Sequence, residues 1–101
     1  MRKKIFIINE EIKNEKKVID EVKHFHNNVS IESYDDYKKL LYRLHTSNNK
    51  KEYKIGIIHE NGSKSQPSVI SSFVRDLNPK VKIIIYTTID GLKKQLKSVK
   101  I

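Results

Sequence analysis

Side chains able to do chemistry are few in this chain of 101 residues. It has no cysteine, which excludes disulfides, thiolate metal centres, iron–sulfur clusters and a thiol nucleophile. Three places remain where reactive groups could gather. Glu10 and Glu11 follow the first apolar run, His59 closes the third, and Thr87 and Thr88 close the fourth. Acids beside a hydroxyl suit Mg²⁺ and phosphate, because magnesium takes carboxylate oxygens and keeps several waters. His59 could accept a phosphoryl group or bind a metal, but no His/Asp cluster at ligand spacing surrounds it; a polar cap on a strand end is its simpler role. Glu10 and Glu11 read first as solvated loop acids, and the threonines as favoured strand residues.

The other candidates are weaker. His24 and His26 lie two apart on a helical segment and point in different directions. His45 follows Leu44, where a cation suits the end of a helix. Glu60-Asn61-Gly62-Ser63-Lys64-Ser65 ends like a phosphate loop, but Gly62 stands alone and the first glycine is absent. No nucleotide loop is expected, only room for an anion at the start of the next helix. No serine, histidine and aspartate are ordered as a triad by anything beyond their presence.

The elements that must hold these residues follow from two alternating hydrophobic periods. Ile5-Phe6-Ile7-Ile8, Tyr53–His59 and Val81–Thr88 are short, β-branched apolar runs, the mark of strands buried on both faces. Val29–Ser33 alternates and reads as a half-exposed edge strand. Between the strands run amphipathic stripes. The first is Val18, Ile19, Val22 and Phe25, which Asn14 can cap; the second is Tyr37, Leu40, Leu41 and Leu44, capped by Asp35 or Asp36. The third holds Val69, Ile70, Phe73, Val74 and Leu77, opened by Pro67 and stopped at Asn78-Pro79; the last holds Leu92, Leu96 and Val99, capped by Asp90. The order βαβαβαβα predicts an α/β fold: a three-layer, doubly wound, flavodoxin-like parallel sheet with strand order 2-1-3-4. One domain, residues 1–101, is expected. The ligand crevice of such a sheet lies at the carboxyl ends of strands one and three.

Charge bounds the partners. Lysine and arginine number 21 against 12 acids, a formal charge of +9, divided evenly between the two halves of the sequence. Almost all the cations are lysine, a weak basis for reading bases, where arginine is preferred. Lys82, Lys93, Lys94, Lys97 and Lys100 nevertheless form a candidate surface for a partner or an anion. No apolar run approaches the ~18 residues of a membrane span, and the basic–apolar start is too short for a signal peptide. A cytoplasmic protein is expected.

At the predicted crevice the chain resembles a response-regulator receiver domain of the chemotaxis-regulator type. The resemblance rests on Ile7-Ile8-Asn9-Glu10-Glu11, on Tyr53–His59, on Leu77-Asn78-Pro79 and on Val81–Thr87, with element order matching over residues 3–88. It implies that Glu10 and Glu11 stand for the acidic pair, His59 for the phospho-accepting aspartate and Thr87 for the switch hydroxyl. No aspartate ends strand three, and the family's lysine after a fifth strand has no counterpart. That strand is either missing or reduced to Ser98-Val99-Lys100-Ile101. The chain therefore looks like a degenerate receiver: a non-enzymatic regulatory module, with a protein partner and no aspartyl phosphorylation. No cofactor is expected, with Mg²⁺ at Glu10 and Glu11 as the one candidate. A basic nucleic-acid-associated module and a small phosphate- or Mg²⁺-binding enzyme at the crevice are the alternatives.

Overall fold

The computed structural model describes residues 3–9, 15–46, 53–60 and 66–99. Its elements run β1 (Lys3–Ile8), α1 (Glu15–Phe25), β2 (Val29–Tyr34), α2 (Tyr37–Thr46), β3 (Tyr53–His59), α3 (Pro67–Leu77), β4 (Lys82–Tyr86) and α4 (Ile89–Ser98). The four strands form one parallel sheet in the order β2-β1-β3-β4. Two cores separate the layers. Ile5, Ile7, Ile55, Ile57, Ile84 and Tyr86 face Val18, Val22, Leu92 and Leu96 of α1 and α4. Phe6, Ile8, Tyr53 and Ile58 face Leu40, Leu44, Ile70 and Val74 of α2 and α3. The continuous apolar runs of β1 and β3 are needed because both strands are covered on both faces. No helix among the described residues is long and apolar enough to cross a membrane.

The register carries one irregularity. Lys4 pairs with Tyr53 but Ile5 pairs with Ile55, so Lys54 is an extra residue in β3. A one-residue insertion reverses which face a side chain meets. Tyr53 therefore enters the α2/α3 core while Ile55 and Ile57 enter the α1/α4 core. Beyond the bulge Gly56 pairs with Phe6, whose ring lies over it; a Cβ there would come within 2.1 Å of Phe6 Cζ. Phe6 also meets Tyr53 edge-on, with ring centroids 5.3 Å apart.

Several local expectations are revised. Thr87 and Thr88 lie beyond β4; Thr88 rather than Asp90 caps α4, its hydroxyl accepting from the Gly91 N–H at 3.1 Å. Asp90 falls inside the first turn, where its charge still suits the helix dipole. Asp36 serves α2 by accepting from the Lys38 N–H at 2.9 Å, while Asp35 pairs with Lys39. In α3 only Ile70 and Val74 of the apolar stripe are fully covered; Val69 and Phe73 are 42% and 48% exposed. The stripe is wider than the contact that one helix makes with the sheet. Ser98 closes α4 and Val99 is its C-cap, so neither belongs to a fifth strand. Strand β4, the most isoleucine-rich, is an outer strand, and Ile85 is 37% exposed on it.

Candidate functional site

The carboxyl edge of the sheet is built as the strand order requires. Asn9, the residue after β1, is buried and donates its N–H to the Tyr34 carbonyl at 3.0 Å. β3 ends at His59, paired in register with Tyr86 at the end of β4. The imidazole packs edge-on against the phenol ring, with centroids 4.9 Å apart and planes at 69°. Both side chains are buried, at 8% and 3% exposure. Among the described residues neither His59 Nδ1 nor the Tyr86 hydroxyl has a hydrogen-bond partner. Burial pushes the Tyr86 phenol up to about 12, so it stays protonated near neutrality and can only donate or accept a hydrogen bond. The N–H of Glu60 donates to the Tyr86 carbonyl at 2.9 Å, which fixes the chain as it leaves β3.

Thr87 is exposed at the same edge, one residue past Tyr86. Glu10 and Glu11, the candidate magnesium ligands, lie outside the described residues. Among the described residues no group of three His, Cys, Asp or Glu is placed to hold a metal ion. A cleft of about 480 Å³ opens over the ends of β1 and β2, lined by Asn9, Glu15, Ser33, Tyr34, Asp35 and Lys39. It lies on the β2 side of β1 rather than between β1 and β3. Lys39 Nζ and Asp35 Oδ1 meet across it at 2.7 Å; the pairing holds the carboxyl below its usual range and the ammonium above its own.

The candidate partner lysines are dispersed. Lys82 opens β4 at the amino edge. Lys93 turns toward α1 and meets Glu21 at 3.5 Å, while Lys94 and Lys97 are exposed on α4. Lys100 lies outside the described residues. On the other flank of α4, Gln95 Nε2 donates to the outward Ile85 carbonyl at 2.9 Å.

Sequence reasoning missed one cluster. Under α2, the Tyr53 hydroxyl donates to Glu32 Oε2 and lies 3.4 Å from the Tyr34 hydroxyl. Arg43 Nε reaches Glu32 Oε1 at 3.1 Å. Burial, and then the bond to Glu32, push the Tyr53 phenol far above its ordinary range. The bulge at Lys54 brings Tyr53 onto this face, and no sequence period signals a bulge. Glu32, a lone charge inside an otherwise uncharged strand, is the one available hint. The cluster ties β2, α2 and β3 together and leaves no free nucleophile. Compared with known proteins, the chain matches no family model, no curated protein and no solved structure.

Proposed function

We propose that the chain is a non-enzymatic regulatory module, a degenerate receiver-like domain of the cytoplasm that works by contact with a protein partner. The observation that carries this reading is His59. The central strand β3 delivers a buried imidazole, packed on Tyr86, to the place where a receiver-like sheet would present its phospho-accepting carboxylate. An imidazole held edge-on to a phenol, its Nδ1 without a hydrogen-bond partner among the described residues, is suited to shape and hydrogen bonding rather than to turnover. Thr87, exposed beside it, supports a surface that a partner can read. The partner face of this reading is the β4–α4 side, where an outer strand exposes Ile85 and α4 presents Lys94 and Lys97. Magnesium, if it binds, would use Glu10 and Glu11 as carboxylate ligands.

Acetyl phosphate with Mg²⁺, followed by intact mass, tests the reading. The chain should emerge unmodified. A mass increase of one phosphoryl group, removed by hydroxylamine as an aspartyl phosphate is, would overturn it.

A further inference from the structure

We propose that the amino edge of the sheet docks the phosphate backbone of nucleic acid without reading its sequence. Every strand of a parallel sheet starts on the same edge, and every crossover helix ends there. Lys3 and Lys4 open β1, Lys54 is second in β3, Lys80 stands in the turn before β4, and Lys82 opens β4. Lys4 pairs with Tyr53, and Ile55 pairs with Lys82. The strand starts that carry them therefore lie along one edge of the sheet, at about 4.8 Å per strand step, with Lys4 on the α2/α3 face and Lys3 and Lys82 on the α1/α4 face. The last turns of α1, α3 and α4 add Lys23, Arg75 and Lys97 at the same end. Among the described residues Asp76 is the acid placed with them. At the opposite edge Glu15, Asp35, Asp36, Glu60 and Asp90 are offset by lysines in the opening turns of α1 and α2. Among the described residues the positive excess is thus gathered at one end of the fold.

Fold stability accounts for only part of this. Cations in the last turn of a helix offset its dipole, typically by about 0.3–1 kcal/mol. The exposed lysines at the starts of β3 and β4 are not in a helix's last turn. Lys54, Lys80 and Lys82 are exposed, and none makes an ion pair among the described residues. A hydrated point charge on a flexible stem suits a phosphate and carries no information about bases. The surface lies across the molecule from His59, and Lys54 and Lys80 are not part of the β4–α4 partner face, so failure at those two lysines would leave the regulatory reading standing, and the reverse.

Fluorescence anisotropy of the full chain with a labelled duplex of mixed sequence tests the proposal. Four lysine–phosphate contacts, from Lys3, Lys54, Lys80 and Lys82, give a slope of log K against log salt of about −3.6, or a loss of about 150-fold between roughly 50 and 200 mM salt. The double variant Lys54→Glu/Lys80→Glu should flatten the slope by about 1.8 and weaken binding at least tenfold. Lys16→Glu/Lys17→Glu makes the same charge change in the first turn of α1, beyond a Debye length of about 10 Å at 0.1 M salt, and should keep the native slope. Circular dichroism melts establish that each variant is folded. Absence of binding at the lowest salt would overturn the proposal. So would equal losses in the two variants, or displacement of the duplex by polyglutamate as readily as by unlabelled duplex.

Discussion

Gly56→Ala should damage the centre of the sheet although alanine is the better strand residue. No glycine among the described residues has a positive φ, so the backbone itself admits a side chain, and ordering alanine instead of glycine favours folding by about 0.5–1 kcal/mol. The obstacle is Phe6. A Cβ on Gly56 would lie 2.1, 2.5 and 2.8 Å from three atoms of that ring, well inside van der Waals contact. The ring cannot step aside freely. It is fully buried and packed edge-on against Tyr53, whose hydroxyl is anchored on Glu32. Overpacking a closed core costs about 1–3 kcal/mol or more, and this overlap is severe. We expect a net loss of about 2–3 kcal/mol, equivalent to a fall in Tm of roughly 10–20 °C for a domain of this size. Urea unfolding followed by far-UV circular dichroism measures it. The decisive arm is Gly56→Ala/Phe6→Leu: trimming the ring relieves the overlap, so the double variant should be more stable than Gly56→Ala alone, a coupling of at least ~1 kcal/mol. Gly56→Ala within about 0.5 kcal/mol of the wild type, or strictly additive costs, would refute the reasoning.

Three further outcomes follow from the same structure. Thr88→Ala removes the hydroxyl that accepts from Gly91, and should lower stability by about 1 kcal/mol while Asp90→Ala changes it less; thermal melts of the two variants make the comparison. Tyr53→Phe deletes the donor to Glu32 and should cost about 1–1.5 kcal/mol, whereas Tyr34→Phe, at the longer 3.4 Å contact, should cost less in the same urea titration. Tyr86 links stability to alkaline pH. Its folded phenol is raised to about 12, so the native state holds a proton that the unfolded state releases near pH 10; the stabilisation is complete below pH 10 and is lost as pH rises toward 12. Stability measured between pH 9 and 12 should therefore fall less steeply in Tyr86→Phe than in the wild type.

Element order, helix stripes and the strand order 2-1-3-4 are legible in the sequence, because hydrophobic period and βαβ handedness leave few alternatives. The apolar runs at Ile5–Ile8 and Tyr53–His59 must be covered on two faces, and the more polar Val29 segment can only lie at a border. His59 was also locatable at a strand end. Its edge-on contact with Tyr86 required the parallel pairing of β3 with β4, which is a tertiary fact. The Thr88 cap could not be separated from Asp90 by residue type, since both are good caps and only the start of the helix chooses between them. Tyr53 reached Glu32 through a single extra residue at Lys54, and a bulge leaves no periodic trace. The sequence also counted the charge without locating it: lysines 50 or more positions apart become neighbours only when parallel strands start along a common edge. Local periodicity decides what each segment becomes; chain crossing decides which side chains meet, because contacts between distant segments exist only once the sheet is assembled.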